Sequence, residues 1–319
     1  MAANRHLRAL LAPLLTLGVV LMAAAPSAAV EPPSLLDEDA GRAAWPPLNE
    51  PVTVAPPAPA RTPAPTPTEV PTPTPAPPPA HGLDVSYPQC GTELPASFAF
   101  AIVGVNGGRV YSPNPCLVGD QEDPGQLAWA GREVELYANT GNPGPRLSRY
   151  WPGVRVDAEG CRADGLFATA DTLECAYRYG WNAAADSYRL ALEAFVAAGW
   201  AEKGAVELPW ATTWWLDVES ANSWRSDRRL NVATLEGARD YLVSMEVAAV
   251  GFYSTPRMWA SIAGDTDAFV GAPAWHAGAL DIVDARRRCQ EEAAFTGGEL
   301  RMVQWVQDGL DHNLRCTDE

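Results

Sequence analysis

TTWWLDVES, residues 212–220, is an apolar run of strand length that ends in two acids. Side chains alternate between the faces of a strand, so Asp217 and Glu219 share one face and Val218 takes the other. In parallel α/β folds the C-terminal strand ends face the ligand site, which is where this pair falls. Close carboxylates resist joint ionisation, and one of them can then keep a proton to donate near neutral pH. Taken alone, D-x-E fits a loop cap or an arginine partner as readily, so the rest of the chain must decide.

Similar runs recur on both sides: LDVSY (83–87), FAFAIVGV (98–105), EVELYAN (133–139), AVGFYS (249–254), APAWHAG (272–278) and LRMVQWV (300–306). Helix-like stretches lie between several of them, a rhythm that predicts βα units around a parallel sheet. Asp171 and Glu174, three residues apart, predict a capping box for a helix running to Gly199, and Asn231 predicts the start of another through LEGARDYLVSMEV. Fewer than 50 residues follow Ala272, whereas a full βαβ unit takes about 30. The expected fold is therefore an irregular TIM-like (β/α) barrel whose helix-poor final strands are joined by loops. Closing such a sheet makes its first and last strands neighbours, and Asp84 and Asp311 then join Asp217 and Glu219 at one mouth. Trp215, Tyr253 and Trp275 stand near strand ends, where flat rings suit the faces of sugars.

Composition divides the 319 residues into three blocks. Arg5 and Arg8 precede an apolar stretch, Ala9 to Ala25, and small residues Ser27 and Ala29 suit a cut after Ala29, so residues 1–29 are expected to be a secretory signal peptide. Residues 30–80, rich in Pro, Thr and Ala, cannot bury a core and are expected to form a disordered, extended linker. Residues 81–319 hold all six cysteines and 11 of the 12 tryptophans, and are the one block able to pack as a domain. That block carries −14 of the chain's −16 charge and no basic run, which excludes nucleic acid as a partner and, after signal cleavage, an anionic membrane surface. Export implies an oxidising compartment, so Cys90, Cys116, Cys161, Cys175, Cys289 and Cys316 read as three disulfides, with sequence neighbours paired. No C-x-x-C occurs and the four histidines never stand at H-x-x-H or H-x-x-x-H, so no metal site is expected. Neither a phosphate-binding glycine loop nor a G-x-S-x-G elbow is present.

GLDVSYPQ (82–89), FAIVGVNGG (100–108), WWLDVE (214–219), VGFYSTPRMW (250–259), APAWHAG (272–278) and MVQWVQDGLDHN (302–313) follow one another in the order of the motifs of glycoside hydrolase family 25, the lysozyme-like muramidases, which residues 81–319 resemble. The resemblance implies hydrolysis of the β-1,4 bond after N-acetylmuramic acid by a secreted or envelope-associated monomer, with peptidoglycan or a related amino-sugar polymer as partner and no cofactor. It places Glu219 as general acid, Asp217 as the aspartate that orients or stabilises the acetamido group, and Asp84 and Asp311 as the other acids of the groove, with Gln304 in the closing motif beside the substrate. The chain departs from the family in YANTGNPGP, where Asn139 stands about where a histidine is usual and an insert of roughly 30 residues follows. Two other readings fit the same residues: a catalytically silent barrel that binds envelope glycan or a partner protein, and a glycosidase of different specificity.

Overall fold

The computed structural model describes residues 81–316 except 109, 111, 121–122, 147, 149, 153–160 and 162–169. The expected signal peptide and linker, and much of the insert after residue 146, lie outside the described residues. By its contacts the chain divides into units 1–71 and 72–319, and every described residue belongs to the second.

Eight strands close into a barrel in chain order: β1 (Gly82–Val85), β2 (Ala101–Gly104), β3 (Glu135–Asn139), β4 (Thr213–Asp217), β5 (Ala249–Ser254), β6 (Ala274–Ala279), β7 (Leu300–Gln307) and β8 (Leu310–Arg315). The first seven run parallel, and β8 runs antiparallel to both β7 and β1. Among the described residues five α-helices accompany them: α1 (Gly125–Ala130), α2 (Leu173–Ala197), α3 (Arg228–Ser244), α4 (Pro256–Ile262) and α5 (Ile282–Glu291). The architecture is the irregular α/β barrel that the sequence predicts. The shortage of chain at the end falls on the last connection: α5 still fits between β6 and β7, but β7 returns to β8 through Asp308 and Gly309 alone. Both residues have positive φ, 53° and 79°, as a two-residue hairpin turn requires.

Two helix starts differ from expectation. The N-cap of α2 is Thr172, whose hydroxyl accepts from the Cys175 amide, while Asp171 is drawn off into an ion pair with Arg225. The N-cap of α3 is Asp227, and Asn231 lies inside the helix, fully buried, where its amide binds both backbone groups of Arg225 and the carbonyl of Ile262. A short polar side chain starts a helix only where the chain turns into it, and in both places a neighbour offers the backbone a better partner.

The alternation of β4 separates two cores. Trp214, Leu216 and Val218 pack outward with Tyr188, Phe195, Leu235 and Leu242 of the helices. Trp215 points inward with Phe100, Ile102, Trp275 and Met302. Outside the barrel α2 and α3 touch backbone to backbone. A Cβ on Gly180 would stand 1.8 Å from the Thr234 carbonyl oxygen, and one on Gly237 1.9 Å from that of Tyr177. The three disulfides join Cys90 to Cys116, Cys161 to Cys175 and Cys289 to Cys316, the neighbour pairing read from the sequence.

Because the clash at Gly180 is with backbone, α2 and α3 must move apart to admit a methyl group. Gly180→Ala is expected to lower unfolding free energy by about 1–3 kcal/mol, measured by urea denaturation. A variant as stable as the parent would show that the helices separate without cost.

Candidate active site

The inside of the barrel is built in layers. At its N-terminal end the Glu135 carboxylate accepts from the Arg315 guanidinium at 2.6 Å and from the Trp215 indole at 2.6 Å, and Arg315 lies over the Phe100 ring at 4.0 Å. This pairing compensates the charges at the floor. Two residues further along β4 stands Asp217, and Glu219 follows it beyond the end of the strand.

Register sets the mouth. Asp84 of β1 and Asp311 of β8 are direct cross-strand partners, so both carboxyls leave the sheet on one face. Asn139, Asp217 and Tyr253 stand side by side across β3, β4 and β5, with Trp275 of β6 beside Tyr253. Together they enclose a cavity of about 300 Å³, lined by the four acids and by Asn139, Tyr253, Trp275 and Gln304. Eight of the nine residues expected at the site therefore meet there. The exception is Trp215, which is fully buried in the layer below, against Glu135, and does not reach the cavity. Its alternation with Asp217 gives the correct face, but depth within the barrel depends on how far each strand extends.

Polar side chains hold these groups in place, Asn313 and Asn222 among them missing from the sequence reading. Asn313 donates to Asp84 Oδ2 at 2.6 Å, and Gln304 donates to the same oxygen at 3.0 Å while accepting from the Tyr253 hydroxyl at 2.8 Å. Asn222, in the loop after β4, donates to Asn139 Oδ1 at 2.8 Å. Tyr137, two residues before Asn139, also lines the cavity. Alternation along β3 would have found Tyr137, and alternation along β8 would have found Asn313 once DHN was seen as strand. His276 is packed away from the mouth, fully buried against Phe295 with its Nδ1 3.1 Å from Glu292.

Among the described residues no lysine, arginine or histidine lines the cavity, so none of them offsets the crowding of acids. Burial first, then the charge of Asp311, push the Asp84 carboxyl up to about 8, against the pull of its two amide donors. Burial and then Glu219 and Asp84 hold the Asp217 carboxyl well above its ordinary range. Glu219 is raised by burial and by Asp311, and Asp311 is raised by burial. Asp84 thus keeps a proton at neutral pH, and Glu219 and Asp311 stand half-buried at the opening of the site. Asp217 Oδ1, Asn313 Oδ1 and Trp275 Nε1 are buried without a hydrogen-bond partner. Among the described residues no three His, Cys, Asp or Glu side chains are grouped as a metal ion would need.

Stability should respond to this proton store. The folded state keeps the Asp84 proton up to about pH 8, whereas the unfolded chain releases it near 3.8, so the unfolded state binds fewer protons in between. The contribution is fully present below the unfolded value and is lost as pH rises through the folded one. The urea midpoint is expected to fall between pH 4 and pH 8, and Asp84→Asn to flatten that fall and gain on the parent at pH 8. A parent midpoint that rises across the window would contradict the raised carboxyls.

No protein-family model matches the chain, and no curated protein matches it. Among solved structures the chain is similar to a glycosyl hydrolase 25 of Streptococcus pneumoniae described as a virulence factor participating in host cell invasion, at 14% identity, covering 74% of this chain and 86% of that one, with a TM-score of 0.40. It is similar to the muramidase from Trichobolus zukalii at 15% identity, covering 74% of this chain and 93% of that one, with a TM-score of 0.41. To the bacterial lysozyme from Streptomyces coelicolor it is similar at 14% identity, over 74% of this chain and 91% of that one, with a TM-score of 0.42.

Proposed function

We propose that the barrel is a glycoside hydrolase of exported type that cuts the β-1,4 bond after N-acetylmuramic acid in peptidoglycan. The observation that carries the proposal is the convergence of Asp84, Asp217, Glu219 and Asp311 on one cavity walled by Tyr137, Tyr253 and Trp275, with no cationic side chain among the described residues that line it. Glycoside hydrolysis asks for one carboxyl that keeps its proton and another that bears charge, while aromatic walls suit sugar faces. The motif order that resembles glycoside hydrolase family 25 supports the same reading.

The environments divide the roles. Glu219 is half-buried at the opening, and burial and the Asp311 charge raise its carboxyl and favour the protonated form, which gives its proton to the leaving glycosidic oxygen. Asp84 is protonated in the free site below about pH 8; Asn313 and Gln304 both donate to its Oδ2 and favour its carboxylate form, and it is this form, once the proton has passed to water, that faces the cationic character growing at the anomeric carbon. Asp217, buried with its carboxyl held well above the ordinary range, positions the substrate. Asp311 keeps the local field negative and raises both Glu219 and Asp84. Tyr253, tied to Gln304, and Trp275 beside it offer ring surface to the sugar.

The test is digestion of purified cell walls by the full chain, with released reducing ends identified. Glu219→Gln is expected to slow release by about 10²- to 10⁴-fold, and the rate of the parent should fall as pH rises above the raised value of Glu219. Release of muramic-acid ends that is lost in Glu219→Gln supports the proposal. No release from walls or chitin-type oligomers, with the protein still bound to walls, would make the barrel a glycan-binding protein instead.

A further inference from the structure

Glu219 lines the cavity from just past the point where the sheet stops holding the chain. The registered pairing of β4 with β5 ends at Asp217 and Tyr253. Val218 is still tied to β5, its amide donating to the Tyr253 carbonyl at 2.9 Å and its carbonyl accepting from the Ser254 hydroxyl at 2.7 Å. The aim of the Glu219 carboxyl is then set by the turn that follows. There the Ser220 amide reaches the Met258 sulfur, at 3.5 Å, and a thioether is a weak acceptor. The Glu219 carbonyl is held more firmly, since it accepts from the Asn222 amide at 3.2 Å and from the Trp224 indole at 2.8 Å.

Trp224 is itself fixed from both sides. The Ser223 carbonyl before it accepts from the Asn142 amide, in the loop after β3, at 2.7 Å. Arg225 after it is gripped by the buried Asn231 of α3, which accepts from its amide and donates to its carbonyl, both at 2.9 Å. The ring lies half-buried against the outer core. An indole has one N–H to place, and this one goes to the main chain of the residue proposed as proton donor. The Asn222 amide already closes the turn, so the second bond adds something else: two donors on one carbonyl hold the Glu219 peptide plane against rotation. We propose that Trp224 is the positioning residue of the proton donor, setting through the Glu219 carbonyl the line along which the Glu219 carboxyl enters the cavity. This rests on the role of Glu219 given above and adds what aims it. In the reacting step the bond from the anomeric carbon to the glycosidic oxygen breaks, its electron pair stays with the oxygen, and the Glu219 proton must arrive on that oxygen. A misplacement of about 1 Å can cost 10²-fold.

The experiment follows two soluble substrates that share their sugars up to N-acetylmuramic acid and differ in what leaves from it. From uncrosslinked glycan strands a sugar oxygen leaves and needs the proton. From the 4-nitrophenyl β-glycoside of the N-acetylglucosaminyl-N-acetylmuramic acid disaccharide a phenolate leaves without one. Trp224→Phe in the full chain keeps a ring and removes the N–H. It is expected to lower kcat on the strands about 10-fold with KM within about twofold, short of the full misplacement cost because the Asn222 amide remains, and to leave the nitrophenyl glycoside within about twofold. Its rate on the strands should also fall off at lower pH than that of the parent, since a carboxyl that swings toward water loses the burial and the Asp311 charge that raise it. Trp224→Met, which also lacks a donor, serves where Trp224→Phe does not fold. Equal slowing of both substrates, or of neither, overturns the assignment of Trp224, and leaves the glycosidase reading intact where Glu219→Gln is itself slowed on the strands alone. Glu219→Gln slowed equally on both, or a parent that cleaves neither, overturns both.

Discussion

Closure of the sheet through β8 is the constraint on which the rest of the molecule depends. Running antiparallel to both neighbours, β8 pairs Asn313 with Gly82 and Asp311 with Asp84 on one side, and Asn313 with Gln304 on the other. A parallel final strand would need a crossover of a dozen or more residues, whereas a two-residue turn at Asp308 and Gly309 suffices for an antiparallel one. That economy has a chemical result. It lays an acid of the last strand, Asp311, against one of the first, Asp84, and it inserts Asn313 where it can hold the Asp84 carboxyl.

The barrel then keeps its charges in two separate layers. At the floor Arg315 and Glu135 neutralise each other, with Phe100 and Trp215 closing around them. At the mouth no cation among the described residues partners the acids, and burial together with mutual repulsion makes ionisation costly. Both layers come from the alternation of the same strands: β4 supplies Trp215 to the lower one and Asp217 to the upper, and β8 supplies Arg315 below and Asp311 above. A single cation at the mouth would stabilise the carboxylates and remove the proton donor. The separation of Arg315 from the acids, by the length of β8, is therefore a condition of the chemistry proposed for Glu219.

Most of this was legible in the sequence where apolar patterning carries it. The runs around Val85, Val103, Leu136, Leu216, Phe252, Trp275 and Val303 became β1 to β7 because parallel strands are covered on both faces and read as continuous apolar stretches. β8 escaped because its inward residues, Asp311 and Asn313, are polar for the sake of the site, so the run reads as the loop after a strand. The same cause hid Asn222, whose role exists only once the loop after β4 folds back over β3. Trp215 failed in the opposite direction: its face was right, but sequence spacing measures position along a strand and not depth in a barrel. The caps at Thr172 and Asp227 turned on which neighbour reaches the backbone, and that is a tertiary fact.

A mouth built from unsatisfied acids stabilises nothing by itself, so the positions of its members must be imposed from outside. Cys90–Cys116 fastens the turn that follows β1, where the Ser86 carbonyl accepts from Gln126 at 2.6 Å, and Cys289–Cys316 ties α5 to the residue after β8. β1 is thereby anchored just beyond Asp84, and β8 at its far end, next to Arg315. On the opposite side the glycine contacts of α2 and α3 hold the helices that flank β4 closely enough to seal Trp214 and Leu216 beneath them. Cross-links and close helix packing supply the rigidity that the polar interior cannot, and repulsion among the acids is then spent on proton affinity instead of on spreading the strands.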